Sequence, residues 1–275
     1  MVLESVFSVK GVMRKPWELI LLAFVFVSIS IPIAEFIQVQ ESISTIMLVS
    51  ILSVGVLVRL FDYEVDEIEE KSSVLGSRTL ARHYPVVAAM GLFFVGWIIG
   101  FLFWYLVLPQ SAVSQLFSIQ AGQLNSIQGA FSGFATAFEF QQGFELIFIH
   151  NFEVILVILG LSIIAGAGAV LVLVWNASVI AVFLANYAQQ LILNQSQTLI
   201  VGLGAGFLGI LPHGFFEMLA YILAAMAGGI LSSAVARRAY KTPEFSIVLH
   251  DIIKLAAWAV ILMTIGALIE SSVLL

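Results

Sequence analysis

The sequence predicts an all-α fold, a polytopic helical membrane protein with about seven transmembrane helices plus a re-entrant half-helix. Hydrophobic residues fill 61% of the 275 positions and charged residues only 10%. A soluble domain of this length needs far more charge to cover its surface. Several apolar runs also reach the roughly 20 residues that cross about 30 Å of hydrocarbon. Composition and run length together therefore indicate a membrane-embedded bundle.

Seven apolar runs are long enough to be spans. We place them near Trp17–Phe36, Ile43–Leu60, Tyr84–Leu108, Phe152–Val174, Ala177–Leu193, Phe215–Val235 and Leu255–Ile269. The first run is too long for a signal peptide and no small-residue cleavage site follows it, so we expect a retained span.

The spans divide the chain into three regions. We predict an N-terminal three-span region (1–108) with an acidic cytoplasmic loop (61–83), an extracytoplasmic or interfacial amphipathic segment (109–151), and a membrane core (152–275). The acidic loop could dock a basic partner or bind a divalent cation, but a solvated helical loop is the simpler interpretation. The segment 109–151 is rich in Gln, Ser, Gly and Phe, which favours helices lying in the membrane interface over a separate domain. Contact with an extracytoplasmic partner is the alternative.

A shorter apolar stretch, Thr198–Leu211, lies between the fifth and sixth spans. Its 14 residues would rise only about 21 Å as a helix, too little for an upright crossing. Pro212 lacks an amide hydrogen and suits the first turn of a new helix. We therefore expect residues 198–211 to form a re-entrant half-helix that ends at the Leu-Pro-His-Gly break.

The distribution of positive charge predicts the orientation. All eleven Lys and Arg residues fall on one side of the membrane if the N-terminus is cytoplasmic and residues 198–211 do not cross. The stretch Pro109–Glu153 contains none. Because cytoplasmic loops are enriched in Lys and Arg, we expect a multi-pass protein of the plasma membrane with an extracytoplasmic C-terminus.

Several functional classes are disfavoured. There are no cysteines, and the net charge is −6, which argues against nucleic acid as a partner. The stretch "GAGFLG" matches a dinucleotide fingerprint, but it lacks the strand and acidic residue that this mechanism requires. No nucleophile, metalloprotease or Walker motif is present. We expect a protein that is not an enzyme and that needs no cofactor.

The segment "LPHGFFEMLAYILAAMAGGILSS" carries the most unusual chemistry. Pro212, His213, Gly214 and Glu217 lie within an otherwise apolar span. His213 and Glu217 are four residues apart and project from one helix face, with Tyr221 one turn further. Small residues recur at every fourth position, namely Ala220, Ala224, Gly228 and Ser232. Such a stripe packs against another helix, so Glu217 should face protein rather than lipid.

Three roles fit His213 and Glu217. They could be structural polar groups that lock the helix to its neighbours, part of a proton or ion relay, or part of a metal or catalytic site. The two residues are weak metal candidates, because zinc needs at least three protein ligands. Asn151 at the start of the fourth span, Asn176 in the predicted turn between the fourth and fifth, and Glu270 at the end of the last are further candidate functional residues.

The segment "ILPHGFFEMLAYILAAMAGGIL" resembles the hallmark of the stage II sporulation protein M family of integral membrane proteins. Two flanking stretches, "IFIHNFEVILVILGLSIIAGAGAVLVLVWNASVIAVFLA" and "AAWAVILMTIGALIESSVL", are similar to the family's Asn-containing spans and its closing span with a terminal acid. The resemblance covers roughly residues 144–275. It implies a scaffold that works in a membrane complex with peptidoglycan-degrading partners, although relatives also occur where a murein wall is absent.

We therefore expect a non-enzymatic integral membrane scaffold or assembly protein, surrounded by the lipid bilayer. Its expected partners are envelope enzymes, including those that remodel the cell wall, or other membrane subunits, and a homo-oligomer is possible. The alternative is an ion- or solute-translocating component that uses the re-entrant helix with His213 and Glu217. An intramembrane metal-dependent enzyme is the third hypothesis.

Overall fold

A computed structural model describes residues 11, 15–37, 42–70, 79–134, 140–242 and 245–273. Within these ranges, the side chains of residues 67, 69, 70, 79–82, 127–134 and 273 are not described. The described chain is helical and contains no strand. Its helices are α1 (Glu18–Phe36), α2 (Ser42–Glu70), α3 (Thr79–Val107), α4 (Gln110–Leu116), α5 (Ser118–Phe134), α6 (Phe140–Ala165), α7 (Ala169–Gln195), α8 (Leu199–Ala236) and α9 (Phe245–Val273). A short 3₁₀ turn, Ala239–Lys241, follows α8.

Seven of these helices are long and apolar enough to cross a membrane. They are α1, residues Ser42–Asp66 of α2, residues His83–Val107 of α3, then α6, α7, α8, and residues Phe245–Ser272 of α9. The predicted class, an all-helical membrane protein with about seven spans, is confirmed. The helices α4 and α5 are the two that do not qualify.

The boundary between the fourth and fifth spans differs from the prediction. The turn lies at Gly166–Gly168 rather than at Asn176, because Gly166 adopts a φ of 62°, a left-handed conformation that glycine tolerates without steric cost. Asn176 lies inside α7, where its side-chain amide donates to the carbonyl oxygen of Val172 at 2.8 Å. The prediction that Asn176 occupies a turn is therefore wrong.

Pro212 does not end a helix. Residues 199–236 form one continuous α8 with Pro212 inside it, so the half-helix predicted to end at the Leu-Pro-His-Gly break is wrong. The Thr198 side chain caps the helix by accepting from the Val201 amide. Proline is tolerated within transmembrane helices because neighbouring groups can satisfy the few backbone groups that it frees. Residues 198–211 are the cap and the first turns of this long helix.

The segment 109–151 is divided between three helices. Residues 140–151 are the first turns of α6. The helix α4 and the start of α5 are packed into the bundle rather than held apart from it. Val113 and Leu116 of α4, Phe117 between the two helices and Gln120 of α5 are all buried. The Phe117 ring lies 5.2 Å from that of Tyr105 on α3.

Small residues set the close contacts of α8, as the stripe predicts. Ala220, Ala224 and Gly228 are buried and Ser232 is half-buried. A Cβ placed on Gly228 would lie 2.4 Å from the Cβ of Ser162 on α6. Because a real Cβ cannot approach another so closely, α6 and α8 can pack at this distance only with glycine at position 228.

Candidate functional site

A chain of hydrogen bonds joins α6 and α8 within the membrane-spanning region. The Asn151 amide of α6 donates to Oε1 of Glu217 on α8 at 2.7 Å. The hydroxyl of Tyr221, one helical turn after Glu217, donates to Oδ1 of the same asparagine at 2.7 Å. All three side chains are buried, with exposures between 2% and 9%. The asparagine is thus held from both ends and fixes the orientation of the carboxyl group.

The third helix of the site, α9, makes room for Glu217 with a glycine. A Cβ on Gly266 would lie 2.8 Å from Cγ of Glu217 and 3.3 Å from the carbonyl oxygen of His213. Glu270 follows one turn later on α9 and brings its carboxyl group within hydrogen-bonding reach of Glu217. An ionised carboxylate has no proton to donate, so a hydrogen bond between two carboxyl groups requires one proton between them.

Three of the candidates selected from the sequence therefore meet at one place, namely Asn151, Glu217 and Glu270. Tyr221 completes the site although it was not selected; its position four residues after Glu217 was the available signal. His213 lies one turn before Glu217, and its Nδ1 atom is buried without a hydrogen-bond partner. Asn176 lies elsewhere, bonded to its own helix.

The remaining motif residues, Pro212 and Gly214, have no polar side-chain atom to contribute to the site. Pro212 is exposed on α8, and Gly214 is half-buried, with Ile210 of its own helix as the nearest neighbour of a Cβ. Among the residues that the structure describes, no three His, Asp or Glu side chains are grouped so that they could hold a metal ion. A third ligand for His213 and Glu217 is therefore missing from the described part of the chain.

A second polar cluster lies where the ends of α2, α3 and α9 meet. His83 of α3 is fully buried, and its Nδ1 atom bonds to the carboxylate of Glu64 on α2. Its Nε2 atom lies 3.6 Å from Oδ2 of Asp251 on α9. Glu64 and Asp251 are themselves 2% and 1% exposed. Charged residues flank His83 in the sequence and are typical of a surface position, so local sequence does not indicate that the side chain is buried.

Arg237, just after α8, extends the polar contacts at this end of the bundle. Its guanidinium lies 3.2 Å from Asp62 and also bonds to Asp66, both on α2. Partial burial lowers the pKa of Arg237, but the facing carboxylates of Asp66 and Asp62 raise it by more, so the guanidinium stays charged. The acidic segment is thus partly a helical surface that binds the rest of the bundle, rather than a solvated loop throughout.

Seven apolar helices, three of which enclose the buried Tyr221–Asn151–Glu217 chain, define an integral membrane protein. The family model of stage II sporulation protein M matches residues 89–273. The chain belongs to this family, as the resemblance predicts. The matched part includes Asn151, Glu217, Tyr221 and Glu270. No curated protein and no solved structure matches the chain.

Proposed function

We propose that this family member is a non-enzymatic scaffold that holds protein partners together in the plasma membrane. The observation that carries this proposal is the hydrogen-bonded chain of Tyr221, Asn151 and Glu217, together with the close packing of Glu217 against Gly266. The two hydrogen bonds join α6 to α8, and α9 packs closely against Glu217 at Gly266. A polar group buried without a partner costs about 1–3 kcal/mol, so such a chain favours one arrangement of the three helices. A fixed arrangement is what a scaffold needs.

The orientation proposed from the cations suits this role. Arg59, Arg237 and Lys241 lie towards one end of the bundle, which the positive-inside rule assigns to the cytoplasm. The helix α8 crosses once, so the cations after it stay on that side without a re-entrant segment. The N-terminus is then cytoplasmic and the C-terminus extracytoplasmic.

The partner surface that we propose is the outer face of α4 and α5. Ser114, Gln115 and Ser126 are exposed there, and the segment has no Lys or Arg. Envelope enzymes or other membrane subunits would bind this polar surface from outside, while lipid surrounds the spans. A second copy of the chain is the alternative occupant, and nucleic acid is not expected.

Site-directed photo-cross-linking in intact cells tests the scaffold. A photoreactive residue at Ser126 should give one discrete adduct with another protein, and the exposed, lipid-facing Ile164 on α6 (85% exposed) provides the control. An adduct of twice the chain mass would identify a homo-oligomer. Equal, diffuse labelling from both positions would contradict the proposal.

Ion translocation is the second candidate, favoured by one observation. The carboxyl groups of Glu217 and Glu270 lie close together inside the spanning region. His213 lies on the same face of α8, one turn before Glu217, with its Nδ1 atom buried. Carboxyl groups and histidine within spans are the usual parts of proton relays. Purified protein in liposomes distinguishes the two functions. A scaffold should give no proton flux above protein-free liposomes, whereas a flux that Glu217→Gln abolishes would replace the scaffold with a transporter.

A further inference from the structure

The buried Glu64–His83–Asp251 cluster has a property that the proposed scaffold does not use. The two ring nitrogens of His83 face different carboxylates, Glu64 at Nδ1 and Asp251 at Nε2. A neutral imidazole has only one N–H group. With both carboxylates ionised, it would therefore direct a nitrogen lone pair at a carboxylate oxygen. Two protons shared by the three side chains give each ring nitrogen of His83 a hydrogen between it and its carboxylate. Either the imidazole carries both protons, or it carries one and a carboxyl group carries the other.

Burial makes the unsatisfied form costly. All three residues are almost fully buried (0%, 2% and 1% exposed for His83, Glu64 and Asp251). Inside a protein, the repulsion between the lone pairs is less screened than in water. Water must enter, or the carboxylates must separate, when the second proton leaves.

The contact to Asp251 is the weaker of the two. Its 3.6 Å separation exceeds hydrogen-bond distance, so charge attraction holds it more than a directed bond does. We propose that Glu64, His83 and Asp251 form a two-proton binding site that clamps the ends of α2 and α3 to α9. Loss of one proton to water opens the clamp at Asp251.

None of the other charged groups described at this end lies between two buried carboxylates as His83 does. They include Arg237 with Asp62 and Asp66, and the Lys15–Glu18 pair at the start of α1. Arg59, Tyr63 and Lys254 each have an interaction of their own, as does Asp251 beyond its contact with His83. Arg238, Lys241 and His250 are exposed. The nearby helix α7 contains no Asp, Glu, Lys, Arg or His. Among the described side chains, two histidines lie at this end, namely the buried His83 and the exposed His250, which precedes Asp251 on α9. Only His83 lies between two buried carboxylates, and the ordinary titration range of histidine includes neutral pH. The variant His83→Gln retains His250 and therefore separates the two contributions.

The clamp joins residues on both sides of the point where the family match begins. Glu64 and His83 precede residue 89, where the family match begins, whereas Asp251 lies inside it. The clamp therefore connects the N-terminal helices of this chain to its family core. In the proposed orientation it faces the cytoplasm, so cytoplasmic pH would set how firmly the two parts are joined.

Distance measurements between spin labels test the clamp in the full chain, which has no native cysteine. Labels at Tyr84→Cys on α3 and Ile253→Cys on α9 use exposed positions next to the cluster (68% and 59% exposed). In lipid nanodiscs, raising the pH from about 5 to about 9 should remove the short-distance population. A pair at Phe36→Cys and Val107→Cys, near the other end of α1 and α3, should not respond.

Two variants test whether the change in distance depends on a proton held by the His83–Asp251 contact. In Asp251→Asn, the new amide can donate to Nε2 of a neutral His83 whose Nδ1–H still donates to Glu64. The short distance should then persist at every pH. In His83→Gln the titrating group is absent, and the distance should again be independent of pH. If His83→Gln does not fold, Asp251→Asn carries the test alone. A wild-type distance that ignores pH, or a pH response that survives in Asp251→Asn, would overturn the proposal.

Discussion

The Asn151 amide donates to the Glu217 carboxyl group at 2.7 Å across 66 positions of sequence. The bond joins the central parts of α6 and α8, although Asn151 and Glu217 lie at the starts of two predicted spans. The Tyr221 hydroxyl holds the asparagine from its other side. Because Asn151 presents its amide nitrogen to Glu217, an acceptor at position 217 is enough to keep the bond, and a negative charge is not required.

Glu217→Gln should therefore leave the free energy of unfolding within about 1 kcal/mol of wild type, because the glutamine oxygen can accept from Asn151. Glu217→Leu leaves the buried amide without an acceptor and should lower the free energy of unfolding by about 1–3 kcal/mol. Chemical unfolding in detergent micelles measures both. If Glu217→Gln is as destabilising as Glu217→Leu, the charge matters and the architectural role fails.

Gly266→Ala should displace Glu217, because the added Cβ would lie 2.8 Å from its Cγ atom. Overpacking of this kind costs about 1–3 kcal/mol. Gly209→Ala on α8 is the matched control, since nothing lies within 4 Å of a Cβ there, and alanine favours a helix over glycine by up to about 1 kcal/mol. Thermal unfolding should separate the two variants, and equal melting temperatures would show that Glu217 has room to move.

Gly228→Leu should destabilise the fold more than Leu231→Ala does. The first inserts a side chain where even a Cβ would lie 2.4 Å from Ser162. Leu231 is half-buried against the core, so its truncation should also have a measurable cost. Leu208→Ala, at a position 66% exposed, is the better control and should be nearly neutral. The ranking of the three melting temperatures checks the close packing of α6 and α8.

Single cysteines should reveal the orientation of the bundle. Both Ser126 and Thr242 are exposed, and the chain has no cysteine of its own. An impermeant thiol reagent should label Ser126→Cys in intact cells and should label Thr242→Cys only after the membrane is permeabilised. The reverse pattern would invert the topology and move the proposed partner surface to the cytoplasm.

The spans were predictable because each depends on local composition. Apolar length alone located seven helices, and the four-residue period of small side chains includes Gly228, where α8 packs closely against α6. The sequence also selected Asn151, Glu217 and Glu270 one by one. It could not show that they meet, because the relative depth and rotation of α6, α8 and α9 depend on contacts between residues far apart in the chain.

The wrong predictions have a common physical origin. Pro212 and Asn176 were interpreted by their preferences in water, where proline breaks helices and asparagine favours turns. Both lie inside helices here, where Asn176 bonds to its own helix. The burial of His83 could not be read from its neighbours, since its partners Glu64 and Asp251 are 19 and 168 positions away.

The length of α8 has a consequence for the lipid around the protein. Its 38 residues extend about 57 Å, and even at a tilt of 40° they cover about 44 Å, against about 30 Å of hydrocarbon. Yet its N-terminal end is apolar and exposed, with Ile200 at 83% and the adjacent Leu193 of α7 at 82%. Polar headgroups are a poor solvent for such side chains. The bilayer should therefore thicken around the α7–α8 hairpin, and this hydrophobic mismatch should concentrate the protein in the thickest membranes available to it.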